Sequence, residues 1–315
     1  MNANREPDAY HTAVMVDEVV DLLRPAASGT ILDGTLGGGG HSEALLERYP
    51  ECTILGVDRD PEAREEAGRR LERFGNRVRI MGARFDEAAR AAGLAGPTLD
   101  GALLDLGISS HQIDADRRGF TFREEAPLDM RMEGREGGGP TAANLLNEWE
   151  EERISRLLRS YGEEPRSRAI AREIVRRRAQ RPLETSEDLA AAMAAVYGRP
   201  PLSKEKARVF QALRIEVNDE IGALERALPA IRDALVPGGV FVVIAYHSLE
   251  DRPVKRAFRE WSRACVCPPE IPICVCRGAP LGTLLTRSVA RPSEAEIESN
   301  PRARSARLRA WRKAA

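Results

Sequence analysis

The chain has almost no lysine: of 48 basic side chains only Lys204, Lys206, Lys255 and Lys313 are Lys, and the rest are Arg. The Arg excess reads as genome composition. An excess of either charge is also missing, with 48 basic against 49 acidic groups and a formal net charge of −1 over 315 residues. That balance excludes a uniformly basic nucleic-acid coat but not a local patch. No apolar run nears the roughly 20 residues a membrane helix needs, so no membrane partner is expected. The opening stretch, Met1-Asn-Ala-Asn-Arg-Glu-Pro-Asp, lacks the apolar core of a signal peptide, and a cytoplasmic location is expected. Five cysteines exclude a secreted disulfide scaffold. With 42 % apolar and 31 % charged residues, the chain is too hydrophobic to be disordered.

Cys52 stands alone before an apolar run and reads as a buried thiol. The other cysteines cluster as Cys265-Val-Cys267 and Cys274-Val-Cys276, with prolines between. In a reducing compartment these four are candidate zinc ligands, although C-x-C is not the usual C-x2-C spacing. Incidental thiols or a redox-sensitive loop are the alternatives.

Thr30-Ile-Leu-Asp33 is a short apolar run that stops at a glycine-rich turn, and a helix follows from about His41. Thr53 to Asp58 reads as a second strand ending in an acid, Pro61 opens a helix, Val78 to Met81 is a third strand and Leu99 to Asp105 a fourth. Strands alternating with helices imply an α/β protein with a parallel sheet covered on both faces. The rhythm breaks at residues 107–140, which are loop-like. Thr141 to Tyr197 then has helical periodicity, with a capping box at Thr185-Ser-Glu-Asp188. One helix is expected from about Lys204 to Leu228. Pro237 to Tyr246 restores a turn and a buried strand, and Ser305 to Trp311 suits a further strand. The expected division is an α/β domain at 1–110 and 205–315, interrupted by an all-helical domain at 111–204.

The strongest local signal is Asp33-Gly-Thr-Leu-Gly-Gly-Gly-Gly-His41 between a strand and a helix. Glycines let a ligand approach the backbone closely, and this is where a nucleotide-like cofactor sits in a doubly wound sheet. Neither G-x-x-x-x-G-K-[ST] nor G-x-G-x-x-G is present. Asp33, ahead of the glycines, suits a cationic amino group rather than a pyrophosphate. Asp58 ends the next strand, where an acid binds ribose hydroxyls, and Asp105 ends the fourth. Three acids around a glycine-rich turn suit a ribosylated cation such as S-adenosylmethionine. The plainer alternative is a turn with acids capping nearby helices.

The chain resembles the ribosomal RNA small subunit methyltransferase H family, the 16S rRNA cytosine-N4 methyltransferases. The matching stretches run in order along it: His11-Thr-Ala-Val-Met, Asp33 to Ser42, Gly56-Val-Asp-Arg-Asp-Pro61, Leu104 to Ser110, Arg118-Gly-Phe-Thr-Phe122, Pro127 to Met132, Tyr161-Gly-Glu-Glu164, Phe210 to Ile215, Val217-Asn218, Tyr246 to Arg252 and Asn300 to Ser305. The resemblance implies a class I S-adenosylmethionine-dependent methyltransferase (Rossmann-like) fold with a helical insertion for substrate recognition. It implies methyl transfer from S-adenosylmethionine to N4 of a cytidine in the decoding region of bacterial 16S rRNA, and the small ribosomal subunit as partner. A homodimer stays open. By motif position, Gly39, Gly40, His41, Asp58, Phe85, Asp105 and Gln112 match the family's cofactor contacts, with Asp33 beside them.

An acceptor near the amino hydrogens would help N4 rehybridise and orient it. The usual Asn/Asp-Pro-Pro-aromatic after the fourth strand is replaced here by Asp105-Leu-Gly-Ile-Ser-Ser110. The candidates for catalysis are Asp105, Ser109, His247 and Asp251, and a stacking aromatic must come from Phe120, Phe122, Tyr246 or His247. RNA phosphates should meet Arg, with Arg176, Arg177, Arg302 and Arg304 as candidates. The competing readings are an amino-methyltransferase for another nucleic acid, a nucleotide-dependent oxidoreductase and a non-catalytic RNA-binding factor. Charge divides along the chain. Residues 1–150 carry 17 basic and 28 acidic groups, and residues 151–315 carry 31 and 21. The acidic half suits a cationic cofactor and the basic half suits RNA.

Overall fold

A computed structural model describes residues 13–109, 112–113, 115–123, 125–134, 137–267, 275–276 and 278–315. They form two compact units. One is Ile108–Glu220; the other is residues 13–107 together with Ile221–Ala315.

In the second of these, continuous apolar runs make buried strands. β1 (Thr30–Asp33), β2 (Thr53–Asp58), β3 (Val78–Gly82), β4 (Leu99–Asp105) and β5 (Leu235–Ala245) pair in parallel. β6 (Gly282–Leu284) and β7 (Arg307–Lys313) complete the sheet antiparallel, in the order β3-β2-β1-β4-β5-β7-β6. This is a doubly wound sheet with a mixed edge, of the Rossmann-like kind that the resemblance implies. The strand order reverses between β1 and β4, so ligands bind outside their carboxyl ends. The expected tail strand is β7; β6 is too short for periodicity to reveal.

Alternate residues of each strand face opposite layers. Ile31, Leu103 and Val242 pack with Leu45, Leu46 and Leu71; Leu32, Leu104 and Phe241 pack with Leu224, Ile231 and Phe258. The helices responsible are α1 (Val16–Leu22), α2 (Gly40–Arg48), α3 (Pro61–Leu71) and α4 (Ala88–Ala91), with two more after the insertion. Asp60 caps α3, its Oδ1 accepting from Glu62 N at 3.1 Å, with Pro61 in the first turn. Phe258, Trp261 and Trp311 meet edge to face, tilted and stacked at 5.2–6.3 Å, a cluster worth about 0.5–1.5 kcal/mol per pair beyond burial.

The Ile108–Glu220 unit is helical: α5 (Ala142–Glu148), α6 (Glu151–Ser160), α7 (Ser167–Arg178), α8 (Ser186–Tyr197) and α9 (Ser203–Asn218) enclose their own core, including Leu146, Leu158, Ile174, Met193 and Leu213. Buried Glu164 ties it together, accepting from Arg208 at 2.8 Å and Tyr197 Oη at 2.7 Å. Burial and that carboxylate push the Tyr197 phenol up to about 12. The single helix expected over 204–228 is in fact two, α9 and α10 (Glu220–Ala234). Asp219 sits between them at φ 50°, a left-handed conformation that Asp tolerates better than most residues and that apolar periodicity does not report. The last helix, α11 (Ser248–Trp261), follows β5, and α12 (Glu294–Ser299) precedes β7.

Candidate active site

The glycine-rich turn is held from three strands. Gly34 N donates to Leu103 O on β4 at 3.0 Å, and Leu36 N to Val57 O on β2 at 3.0 Å. Gly37 N donates to Asp58 Oδ2 at 2.8 Å, while Asp58 Oδ1 accepts from Asp60 N at 2.8 Å. Burial pushes the Asp58 carboxyl up to about 6, against the pull of those two amides. Gly34 has to be glycine, because a Cβ there would lie 2.6 Å from Leu104 Cδ2 and 3.2 Å from Phe85 Cβ. The same contact places half-buried Phe85 beside the turn. Gly39, at φ +81°, starts α2 in a conformation few side chains tolerate, and Gly40 follows it.

Asp33 is 1 % exposed and faces inward. Its Oδ2 accepts from Ser42 Oγ at 2.6 Å and its Oδ1 from Thr35 N at 3.4 Å. Burial raises its pKa, with Ser42 opposing. It therefore pins the turn to the first turn of α2.

Asp105 ends β4 at the centre of the constellation. Its N donates to Thr35 Oγ1 at 2.6 Å, its Oδ1 accepts from Tyr246 Oη at 2.9 Å, and its Oδ2 lies 3.9 Å from His41 Nδ1. His41 is buried, with Nε2 2.8 Å from Val14 O. A carbonyl only accepts, so Nε2 carries the hydrogen and Nδ1 is turned to Asp105. Burial first and Asp105 second hold the Tyr246 phenol far above its ordinary value, so it stays protonated and donates. A strand-end carboxylate is thus fixed by a phenol, beside a buried imidazole and above a turn shaped for close backbone approach. This donor set fits a ribosylated cation.

The sequence of the chain matches the model of the MraW methylase family over residues 8–314. The chain belongs to the MraW methylase family. It is 53 % identical over 308 residues to a ribosomal RNA small subunit methyltransferase H of Gemmatimonas aurantiaca, covering 97 % of this chain and 96 % of that one. A protein of the same name from Heliobacterium modesticaldum is 46 % identical over 96 % of this chain and 98 % of its own. Among solved structures, a putative methyltransferase from Streptococcus mutans overlaps with a TM-score of 0.43 at 10 % identity, over 96 % of this chain and 99 % of that one.

In this member of the MraW methylase family, Tyr246 and His247 leave β5 and enter α11. The Glu250 carboxylate accepts from Tyr246 N at 2.9 Å and His247 N at 3.3 Å, and its Oε1 lies 3.0 Å from His247 Nε2. Asp251 makes a bidentate pair with Arg309 of β7, at 2.6 and 3.0 Å. That pairing engages both carboxylate oxygens of Asp251, one of the candidates for catalysis. Ser109 and Gln112 satisfy each other, Ser109 N donating to Gln112 Oε1 at 3.1 Å and Gln112 N to Ser109 Oγ at 3.2 Å. Of the candidate stacking rings in the helical unit, Phe120 is buried, whereas Phe122 is 39 % exposed, edge-on to Phe210 at 5.8 Å.

The expected phosphate contacts on α7 are tied down. Arg176 Nη2 donates to Glu173 at 2.7 Å and Arg177 Nε to the same oxygen at 2.7 Å. The two guanidiniums, Arg176 first, hold Glu173 down at about 2. Arg302 and Arg304 are exposed on the short helical turn before β7. The Sγ atoms of Cys265, Cys267 and Cys276 lie within 4.8 Å of one another; Cys274 lies outside the described residues. The Tyr246–Asp105 bond spans 141 residues of sequence, and no local motif announced it.

Proposed function

We propose that this chain transfers the methyl group of S-adenosylmethionine to N4 of a cytidine in the decoding region of 16S rRNA, with the small ribosomal subunit as partner. The observation that supports it most is the near full-length match to the relatives named above, joined to an acid-lined, glycine-turned site at the switch point of the sheet. S-adenosylmethionine supplies an electrophilic methyl group on a sulfonium. Asp58 accepts the ribose hydroxyls, the turn at Gly37–Gly40 admits the ligand to the backbone, and Phe85 offers an apolar face to adenine. Asp33 holds the turn from behind.

Asp105 accepts from the N4 amino group and orients its lone pair, as a preorganised acceptor should. Tyr246 keeps that carboxylate in place, with its Oη donating at 2.9 Å. His247, braced by Glu250, contacts the cytosine edge or takes the released proton. Ser109 and Gln112 brace each other just after β4. The helical unit recognises the RNA.

Purified protein, labelled S-adenosylmethionine and unmodified 16S rRNA, naked or in small subunits, provide the test. Nucleoside mass spectrometry should show N4-methylcytidine from at least one of the two substrates. Label on another base, or none on either, overturns the reading.

A second reading rests on the three gathered sulfurs, with Val266 N 3.4 Å from Cys276 Sγ. We infer that they hold a zinc ion, thiolates being soft ligands that select it. Metal analysis should find about one equivalent, lost in Cys267→Ser; metal-free protein rules it out.

A further inference from the structure

Helix α11 carries a feature that the donor site does not use. Val254, Phe258 and Trp261 are buried, at i, i+4 and i+7, which turns the opposite face outward. There Arg252, Lys255, Arg256 and Arg259 recur at i, i+3, i+4 and i+7, and with Glu260 and with Arg263 just past the helix they line a groove of about 430 Å³. Five cations thus meet one acid. Arg252, Arg256 and Arg259 are exposed. Among the described residues, Arg252, Lys255, Arg256 and Arg259 have no carboxylate at ion-pair distance. Like charges at i+4 disfavour a helix, and the core needs none of these groups, so the stripe implies a counter-charge from outside the chain.

Its place matters. The helix starts directly after Tyr246 and His247, and the stripe runs from Arg252 to Arg259, about 10 Å along the axis, with Arg263 just past the helix end. We propose that this face of α11 binds the phosphate backbone of the RNA substrate on the methyltransferase unit itself, leading it to the strand ends. The proposal rests on the RNA reading given above. Guanidinium forks suit phosphate oxygens and a groove gives the strand a track; a single strand would gain affinity there mainly by counterion release.

The test uses the full chain with Arg252, Arg256 and Arg259 each changed to Gln, which keeps helix propensity. Binding to unmodified 16S rRNA is measured across 50–200 mM salt, alongside S-adenosylmethionine affinity and melting temperature. Affinity for RNA should fall at least tenfold at low salt. The slope of log affinity against log salt should become shallower by roughly two, about 0.7 per lost contact. Donor affinity and melting should hold. The single variant Arg256→Gln should move the slope by about 0.7, which keeps the test alive should the triple variant fold poorly. Wild-type RNA binding and slope in these variants overturn the proposal, as does a loss of affinity with no change in slope. A wild-type chain that neither binds nor methylates the RNA overturns the functional reading itself, a result distinguishable from failure of the stripe alone.

Discussion

Helices α7 and α11 are both rich in arginine, yet their charges do different work. On α7, Arg176 and Arg177 share Glu173, Arg178 donates to the carbonyls of Leu146 and Trp149, and Arg172 lies 3.7 Å from Glu151. On α11, Arg252, Lys255, Arg256 and Arg259 face a groove with a single acid among its lining residues. The same residue type therefore braces one unit and leaves charge to solvent in the other. What separates them is whether an acid or a carbonyl comes within reach in the folded chain, not the density of Arg. The acids divide in the same manner: Asp33 and Asp251 are committed to Ser42 and Arg309, while Asp58 and Asp105 stand at strand ends around the turn.

The largest effect should come from an acid of the ligand-facing class. Replacing Asp105 by Asn should lower the methyl-transfer rate by on the order of 10²-fold or more, the scale of losing one preorganised group. Tyr246 should lose its charged acceptor without loss of fold. Single-turnover rates read the effect. A rate within threefold of wild type would move Asp105 into the bracing class.

Asp58 comes next. Asp58→Ala should weaken S-adenosylmethionine binding by about 1.5–3 kcal/mol, the scale of hydrogen bonds to a charged group. Because burial places its pKa near 6, donor affinity in the wild-type protein should be flat above that pH and fall below it, as the carboxylate takes a proton and loses acceptor capacity. Stability has the opposite sign. The folded state binds this proton more readily than the unfolded chain, so its contribution declines as pH rises from about 4 to about 6. Asp58→Asn should remove both slopes. Calorimetry from pH 5 to 8 checks the first, and a pH-independent affinity in the wild type ends the assignment.

How much of this division could be read from the sequence depends on its range. The parallel strands were legible because each is an apolar run, and β1, β2 and β4 each stop at an acid. Glu173 stands three and four residues before Arg176 and Arg177, a spacing that allows the pairing, yet those two arginines were expected to meet phosphates. Asp219 hid its break because α9 and α10 continue one apolar periodicity across it. The Tyr246–Asp105 and Asp251–Arg309 bonds were illegible, since sheet topology alone brings those residues together. The open face of α11 was hidden for a similar reason: which side of an amphipathic Arg-rich helix lacks partners depends on what packs around it.

Asp251 sharpens the contrast from the structural side. Asp251→Asn should leave Arg309, with its side chain 12 % exposed, short of a charged partner on β7. A loss of about 2 kcal/mol is expected for a pair buried only in part, or a melting shift of roughly 4–8 °C. Transfer rates at 25 °C should stay within a few-fold. A large rate loss with unchanged melting would return Asp251 to the catalytic group.

The smallest effect is expected on α7, and it is the most direct challenge to the contrast between the helices. A phosphate reaching Arg176 or Arg177 must compete with Glu173, whose carboxyl the two guanidiniums hold near 2 and which would remain beside the phosphate as a like charge. The net gain from such an exchange is small, because an exposed pair is screened by water and the displaced acid repels the newcomer. Arg176→Gln with Arg177→Gln should therefore leave 16S rRNA affinity within about twofold and its salt slope unchanged, while the Glu173 carboxyl returns toward the ordinary range. Titration followed by NMR reads the carboxyl, and the binding assay used for α11 reads the RNA. A slope that drops as far as in the α11 triple variant would mean that ion pairing in the free protein does not keep arginines from phosphates, and the distinction between the two helices would collapse.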